Sequence, residues 1–317
     1  MRVGYFLSCE EYDVPELLEQ ATLAEEAGFS SLWISDHFHP WNDAQGQSPF
    51  VWAVIGALSQ TTTLPITTAV TCPTRRFPPS LSAQAAATVA TMLPGGFRFG
   101  VGSGEALNEH IHGQRWPSAE IRLEMLDEAV GVIRRLWSGE FVNHRGTYYT
   151  VDRARLYTLP DQPPEIHVSA FGPKAAELAA RIGDGLVTTS VNRPVLDRFW
   201  ELAPSLPVSL GTKVAWAPSR SEGVELAHRL WGHGAAGGEA AQELPHPRHF
   251  EQLAESMSPS AIAEKYVCGS SYDEHAEQLG TYAAAGIAEA YVANIGPHYR
   301  AMIEGYGEHV LPRFAAR

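Results

Sequence analysis

Short apolar runs alternate with amphipathic helical stretches along most of the chain, and no other feature restricts the fold as strongly. This alternation is typical of a parallel sheet covered by helices. The eight expected strands are residues 3–7, 31–34, 66–71, 97–101, 165–170, 185–189, 208–216 and 289–294. Eight such units in 317 residues match a (β/α)8 TIM barrel of the α/β class in size. A doubly wound sheet with a small second domain is the alternative.

Two segments interrupt the alternation. Residues 140–164 contain three short strand-like runs, which are 141–142, 148–150 and 155–157. Residues 232–247 hold four glycines and two prolines, which predicts a long flexible loop on top of the barrel. We therefore expect a single barrel domain over residues 1–317, with insertions at about 140–164 and 232–260.

Composition excludes several classes of partner. The 23 basic and 36 acidic residues give a formal charge of −13 with no basic run, which disfavours nucleic acid. No segment approaches the roughly 18 consecutive apolar residues of a membrane span. The three cysteines, Cys9, Cys72 and Cys268, are too widely spaced for a disulfide framework and fit a reducing cytoplasm. A small-molecule substrate is the remaining expectation.

In such barrels the chemistry lies at the carboxyl ends of the strands, and the run after strand two satisfies this rule. Asp36, His37 and Trp41 offer an orienting carboxylate, a proton acceptor and an indole donor in one loop. A zinc site on His37 and His39 is a competing interpretation, but it lacks a third ligand. A purely structural interpretation has Asp36 capping a helix while His37 packs.

The run after strand four is rich in glycine and carries Glu105. Glycines there let a ligand approach the backbone closely, and burial at the loop tip would raise the pKa of a carboxyl group. Gly100, Gly102 and Gly104 alternate, so the run is not a dinucleotide fingerprint. A tight turn with a solvated Glu105 is the plain alternative.

Two further segments also lie at the carboxyl ends of predicted strands. The end of strand three carries residues 67–74, and the end of strand five carries residues 169–174. Gly172 and Pro173 stand directly before a helix, whose exposed backbone amides are a natural seat for a phosphate. An ordinary helix start explains this pair equally well.

With these loops in place, a family resemblance becomes specific. The matching pieces are Asp36-His37-Phe38 with Pro40-Trp41, the hexapeptide 104–109 (Gly-Glu-Ala-Leu-Asn-Glu), residues 136–139 (Leu-Trp-Ser-Gly) and residues 183–185 (Gly-Asp-Gly). They closely resemble the glucose-6-phosphate dehydrogenases of the luciferase-like superfamily that use coenzyme F420, an 8-hydroxy-5-deazaflavin. The similarity runs from about Gly4 to the C-terminus and is weakest over residues 202–247. FMN-dependent monooxygenases of the superfamily share the barrel but match the hexapeptide less well.

The resemblance implies a role for most of these residues. His37 would be the base that takes the hydroxyl proton, Trp41 would steady the oxyanion, and Glu105 would protonate the cofactor, with the imidazole and the carboxyl on opposite sides of its flat ring. The implied cofactor contacts are Asp36, Ala69, Val70, Thr71, Cys72, Gly104, Asn108, Ser169, Ala170, Phe171 and Gly172. The Ala69–Val70 link matches a non-prolyl cis peptide, and the family implies a homodimer without a metal.

The sequence departs from this family at the sugar-phosphate pocket. Thr189 is kept, whereas Asn192 and Gln252 stand where two lysines belong, and Lys265 stands at an arginine position. Each lost charge-assisted hydrogen bond is worth about 1.5 to 3 kcal/mol, so glucose-6-phosphate should bind poorly. We therefore predict an F420-dependent oxidoreductase that acts on an alcohol, a carbonyl compound or an unphosphorylated sugar. The alternatives are a sugar-phosphate dehydrogenase with a rearranged pocket, an FMN-dependent monooxygenase, and a flavin-binding carrier.

Overall fold

Eleven strands and thirteen α-helices organise residues 1–236 and 238–315, the part of the chain that the computed structural model describes. The strands are β1 Arg2–Leu7, β2 Leu32–Ile34, β3 Ile66–Thr68, β4 Phe97–Val101, β5 Val142–Arg145, β6 Thr150–Ala154, β7 Glu165–Ser169, β8 Gly185–Thr188, β9 Val208–Ala215, β10 Val267–Cys268 and β11 Glu289–Asn294. The helices are α1 Val14–Ala27, α2 Val51–Leu58, α3 Pro79–Met92, α4 Ala106–Glu109, α5 Ala119–Leu136, α6 Pro173–Ile182, α7 Arg193–Leu202, α8 Arg220–Trp231, α9 Ala240–Glu243, α10 Pro247–Glu255, α11 Pro259–Lys265, α12 Tyr272–Ala284 and α13 Tyr299–Gly305.

Eight parallel strands close into a barrel, which confirms the predicted fold class. The order is β1, β2, β3, β4, β7, β8, β9 and β11, and β11 pairs with β1 to complete the ring. The two-residue strand β10 pairs with the carboxyl end of β9, outside the ring. Strand β3 is shorter than predicted, because the chain leaves the ladder after Thr68 and returns only as a bridge between Thr71 and Val101.

Local signals explain the helix ends that the sequence predicts well. Asp13 caps α1 by accepting a hydrogen bond from the Glu16 amide, and the Glu16 carboxylate accepts one from the Asp13 amide. Gly28 ends the helix with φ of 92°, a left-handed conformation that favours glycine. Between these ends, the face that carries Leu17 and Ala21 is buried against the barrel.

An apolar plug fills the barrel beneath its carboxyl end. Its buried members are Phe6, Trp33, Val187, Tyr291 and Ala293. Trp33 stacks on Tyr291 with ring centroids 4.3 Å apart. The half-buried Ala69 and Val70 pack on top of this plug, so they form an apolar shelf that faces the mouth of the barrel.

The segment 140–164 forms an antiparallel hairpin of β5 and β6 that stands beside α5. Glu128 of α5 holds the turn, because its carboxylate accepts hydrogen bonds from the amides of Thr147, Tyr148 and Tyr149. The predicted strand-like runs at 141–142 and 148–150 each overlap a strand, whereas residues 155–157 are irregular.

The expectation of a long loop over residues 232–247 is wrong in conformation. A 3-10 turn covers residues 232–235, and α9 and the start of α10 follow it. Two of the glycines serve close packing, because a Cβ on Gly232 would come within 2.8 Å of Ala254 and one on Gly234 would overlap the Tyr266 hydroxyl, whereas Gly238 has open space around it and residue 237 lies outside the described residues. Glycine content alone does not distinguish tight packing from flexibility.

Candidate active site

Three loops at the mouth of the barrel bring together one imidazole and two carboxylates. Nε2 of His37, after β2, lies 3.5 Å from Oε1 of Glu10, after β1, and 3.6 Å from Oε2 of Glu105, after β4. The His37 side chain is 10% exposed and that of Glu10 is 3% exposed, whereas that of Glu105 is 28% exposed. The prediction that loops from strands two and four converge is confirmed. The expected placement of the two groups on opposite sides of a flat ring stays a prediction.

The two carboxylates have opposite pKa shifts. Burial acts to raise the pKa of Glu10, but His37, Lys213 and hydrogen bonds outweigh it and hold the pKa below its ordinary value. The hydroxyls of Ser8 and Ser35 donate to Oε2 of Glu10 at 2.9 and 2.8 Å. Burial raises the pKa of Glu105, as the sequence predicted, and the nearby His37 offsets this in part. The surroundings therefore favour the charged form of Glu10 and disfavour the charged form of Glu105.

Asn108 lies beside the second ring nitrogen of His37, Nδ1. Its Oδ1 accepts from the amides of Phe38 and His39 at 2.9 and 3.1 Å, which fixes the orientation of the amide group. Its Nδ2 then donates to Oε2 of Glu105 at 3.0 Å and lies 3.1 Å from Nδ1 of His37. The carbonyl of His39 lies 3.2 Å from the same Nδ1. Both neutral tautomers of His37 thus have a partner at Nδ1 without movement of the ring.

Trp41 closes one side of the site and is itself buried. Its ring centroid lies 5.0 Å from that of His37. Its amide donates to Oε1 of Gln45 at 2.8 Å. The side chains of Asn42 and Gln45 both donate to the carbonyl of Leu230 at the end of α8, at 2.8 and 2.9 Å. The loop after β2 is therefore locked to the segment that follows β9.

Arg76 organises the residues below His37, although the sequence reasoning did not identify it. It donates to Oδ1 of Asp36 at 2.8 Å, and its backbone amide donates to Glu109 at 2.8 Å. Thr71 donates to the other oxygen of Asp36 at 2.7 Å. Asp36 therefore belongs to a buried ion network rather than capping a helix.

Several positions implied by the family resemblance surround the apolar shelf. The Ala69–Val70 peptide is cis, as the resemblance implied. Cys72 is buried, and its sulfur lies 3.0 Å from the Thr74 hydroxyl. A Cβ on Gly104, where φ is +85°, would lie 2.7 Å from the Cys72 sulfur, so this glycine is required by protein packing rather than by ligand approach.

The end of β7 leaves space at the start of α6. Ser169 is half-buried, Ala170 is buried and Phe171 is 48% exposed. Gly172 is the N-cap residue of α6, and a Cβ placed on it would meet nothing within 4 Å. This open helix start, the shelf of Ala69 and Val70, and Glu105 with its raised pKa fit a flat ring that carries a phosphate on its side chain.

The four predicted substrate residues lie apart from the hydrogen-bonded cluster. Thr189 follows β8 and is exposed, and Asn192 is half-buried at the start of α7. Gln252 on α10 and Lys265 at the end of α11 are exposed.

Glu11, Lys213 and His233 are site residues that the sequence reasoning missed. Nζ of Lys213, on β9, lies 3.8 Å from the ring centroid of Trp231 and 3.4 Å from the Ser8 hydroxyl. Glu11 accepts hydrogen bonds from Nε1 of Trp231 and from the amide of Gly296. Burial raises the pKa of Glu11 to about 7 and lowers that of Lys213. For Lys213, the available signal was that it is the one charged residue of β9.

The described residues, 1–236 and 238–315, also bear on metal binding and membrane insertion. In this range, no group of three or more His, Cys, Asp or Glu side chains is arranged to hold a metal ion. The nitrogen Nδ1 of His39, a considered zinc ligand, lies 2.9 Å from the Leu107 carbonyl. No helix in the described part of the chain is long and apolar enough to span a bilayer.

Comparisons with known proteins place the chain in a family. The model of the luciferase-like monooxygenase family matches residues 1–289, so the chain belongs to this family. The F420-dependent glucose-6-phosphate dehydrogenase of Microbacterium testaceum is 35% identical over 100% of this chain and 98% of its own length. An F420-dependent secondary alcohol dehydrogenase, solved with an F420-acetone adduct, has a TM-score of 0.93 at 32% identity and covers 99% of each chain. The coenzyme F420 dependent tetrahydromethanopterin reductase of Methanopyrus kandleri shares the fold, with a TM-score of 0.80 at 18% identity over 99% of this chain and 100% of its own.

Proposed function

We propose that this protein is an F420-dependent oxidoreductase that interconverts an alcohol and the corresponding carbonyl compound. The observation that carries the proposal is the contact of one imidazole nitrogen with two carboxylates of opposite pKa shift. Oxidation of an alcohol releases one proton and one hydride, so a site for it needs a proton acceptor beside a redox group. The relatives named for F420-dependent dehydrogenases support the choice of redox group.

The chain offers a matching seat for the deazaflavin, which supplies a hydride acceptor when bound. The shelf of Ala69 and Val70 would support the ring, and Gly172 at the open start of α6 would face the phosphate. Asp36, Thr71, Cys72, Gly104, Asn108, Ser169, Ala170 and Phe171 are proposed as further contacts. Glu105, whose pKa burial raises, is the proposed proton donor beside this seat.

His37 is the proposed base of the reaction. Nε2 of His37 takes the hydroxyl proton of the substrate while Nδ1 donates to the carbonyl of His39, 3.2 Å away. The imidazolium that results is stabilised by the charged Glu10, 3.5 Å from Nε2. The indole N–H of Trp41, whose ring lies beside His37, would donate to the developing oxyanion.

The substrate is proposed to lack a phosphate. Asn192 and Gln252 carry no charge where the resembling sugar-phosphate enzymes have lysines, and Lys265 is the remaining cation, with Thr189 as a neutral contact. An alcohol, a ketone or a neutral sugar suits these mostly uncharged side chains better than a dianion does.

A cofactor titration followed by an alcohol panel tests the function. The pure protein is titrated with F420 and, separately, with FMN, and binding is followed by fluorescence. We expect F420 to bind and to lose its absorbance when a suitable alcohol is added, with free glucose preferred over glucose-6-phosphate. Binding of FMN with oxygen consumption by the reduced flavin would instead indicate a monooxygenase. Binding of F420 without turnover of any alcohol would indicate a carrier.

We also propose that the protein acts as a cytoplasmic homodimer built from one barrel domain per chain. The family resemblance of the sequence motifs implies the dimer, and the free, buried cysteines suit a reducing compartment. Light scattering on the protein as it elutes from a size-exclusion column, at micromolar concentration, measures the molar mass directly. The mass of a single chain would contradict the proposal.

A further inference from the structure

A lysine inside the barrel has no role in the chemistry described above. The ammonium of Lys213, on β9, lies over the rings of Trp231 and Phe6, 3.8 and 4.3 Å from their centroids. Burial lowers the pKa of Lys213. Among the described residues, the hydrogen bond of this side chain goes to the Ser8 hydroxyl at 3.4 Å, and no carboxylate forms a direct ion pair with it. Because an ammonium group buried without an ion pair costs stability, its presence indicates a function.

The Ser8 hydroxyl connects this ammonium group to Glu10. Ser8 directly follows β1, and its hydroxyl donates to Oε2 of Glu10 at 2.9 Å. Ser35 donates to the same oxygen at 2.8 Å. The other oxygen of Glu10, Oε1, lies 3.5 Å from Nε2 of His37. One carboxylate is therefore linked to Lys213 through one of its oxygens and faces His37 with the other.

The charge of Lys213 sets the direction of these hydrogen bonds. An ammonium group donates and cannot accept, so Ser8 accepts from Lys213 and directs its own proton to Glu10. A neutral side chain at position 213 would leave the Ser8 oxygen without this donor. Hydrogen bonds in such a chain polarise and strengthen one another. The positive charge of Lys213 is thus coupled to Glu10 without direct contact between the two groups.

Several other titratable groups face Glu10. They are His37 after β2, Glu105 after β4, His233 in the turn after α8, and the adjacent Cys9 and Glu11. Burial lowers the pKa of His233 to about 3 and raises that of Cys9 well above its ordinary value, so both are neutral near pH 7. Burial acts to raise the pKa of Glu10, but His37 and Lys213 outweigh it. Lys213 therefore supplies a positive charge that does not depend on protonation of His37.

We propose that Lys213 is a positioning residue that acts through Ser8 to keep Glu10 charged and His37 free of a proton between turnovers. This inference rests on the proposed function, in which His37 is the base. A positive charge close to two titratable groups lowers the proton affinity of both. The substrate proton still goes to Nε2 of His37. The imidazolium then faces a charged carboxylate rather than a neutral one, which stabilises it.

The pH profile of kcat/KM tests this role. It is measured with F420 and the alcohol that the panel above shows to be oxidised fastest. Lys213→Met keeps an unbranched side chain without its charge, and we expect the acid limb of its profile to lie higher by on the order of one pH unit. On the alkaline side kcat/KM should approach that of the wild type. Lys213→Arg keeps the charge and should leave the limb in place. The matched control is Arg181→Met, which removes an exposed cation that pairs with Asp127 at 2.7 Å.

Glu11 requires a control of its own, because burial raises its pKa to about 7 and Lys213 lies near it. In a Glu11→Gln background, Lys213→Met should displace the acid limb as far as it does otherwise. Loss of the displacement in that background would assign it to Glu11 and overturn the proposal. An unmoved limb in Lys213→Met, or an equal loss of kcat/KM at every pH, would overturn it too. If the variants at position 213 do not fold, Ser8→Ala removes the link to Glu10 and should displace the limb in the same direction.

A measurement without turnover separates this inference from the proposed function. In cofactor-free protein with 15N-labelled histidine, NMR follows protonation of the His37 ring, whose signal is assigned with His37→Asn. The ring should take up its proton at a higher pH in Lys213→Met than in the wild type, Lys213→Arg or Arg181→Met. If no alcohol is oxidised with F420, the proposed function fails while this measurement still decides the role of Lys213. Protonation at the same pH in the wild type and Lys213→Met would overturn that role even where turnover is observed.

Discussion

Two buried ionic clusters lie at opposite ends of the barrel, and they are built differently. At the amino end, Glu289 receives Arg98 at 2.6 Å, the Ser31 hydroxyl at 2.8 Å and Arg2 at 3.4 Å. Burial acts to raise the pKa of Glu289, but Arg98 outweighs it and the pKa is lowered. At the carboxyl end, His37 contacts its two carboxylates only at 3.5 and 3.6 Å.

The difference shows how one fold separates stability from chemistry. The amino-end carboxylate has a partner on each oxygen, so it gains little from any further ligand. The carboxyl-end cluster keeps Glu105 with a raised pKa and Lys213 with a lowered one, both through burial. Groups whose pKa values are displaced toward neutrality can exchange protons, and here they lie where a substrate can reach them.

The largest expected effect comes from removing the imidazole at the carboxyl end. We expect His37→Asn to lower kcat/KM by about 10² to 10⁴, because it removes the general base, with little change in Tm. The matched variant is His167→Asn, since His167 is a buried histidine near the amino end that lies 3.4 Å from Glu165. It should keep kcat/KM within about threefold. Steady-state assays with F420 compare the two, and similar losses in both would remove the distinction between the clusters.

The next largest effect concerns the free energy of unfolding. Glu289→Gln should lower it by about 3 kcal/mol, since it leaves Arg98 without its charge partner, while kcat per folded molecule is retained. Glu105→Gln should change the unfolding free energy by less than about 1 kcal/mol, because burial already disfavours the charged form of Glu105. Urea unfolding followed by tryptophan fluorescence measures both. A larger destabilisation in Glu105→Gln than in Glu289→Gln would reverse the comparison.

The smallest effect is a pH dependence that originates at Glu11. Burial raises its pKa from 4.5 to about 7, so between these values the folded protein holds a proton that the unfolded chain has lost. Stability from this group is therefore present at low pH and decreases as the pH rises through that window. We expect Glu11→Gln to be more stable than the wild type at about pH 8, by on the order of 1 to 3 kcal/mol, and the gap to close near pH 4.5. Thermal unfolding at a series of pH values checks this, and parallel curves would contradict it.

The barrel was predictable from the sequence because each strand and helix carries its own periodicity. The segment after β9 was not, since its short helices are held by tertiary contacts. From the sequence, Gly232 and Gly234 predict a flexible segment. In the structure they allow Ala254 and Tyr266 to pack closely against the backbone, because glycine has no side chain. A single sequence does not show whether a glycine is free or closely packed.

The site was predictable where a side chain that can exchange protons follows the end of a barrel strand. His37 and Glu105 met that condition, and the structure brings them into contact. Glu10 met it too, directly after β1, but nothing in the sequence distinguishes it from the adjacent Glu11. His233 could not be identified from the sequence, because it joins the site only by stacking on Trp41, which is distant in sequence and adjacent in space.

The hydrogen bonds from Asn42 and Gln45 to the Leu230 carbonyl join the loop after β2 to the end of α8. His37 and the two carboxylates it contacts come from the first third of the sequence, whereas the segment between β9 and α12 contributes His233 and Phe250, which pack on the ring of Trp41. Exchange of that later segment would change the packing around Trp41 and leave these three groups in place, provided that the junction at Leu230 is kept.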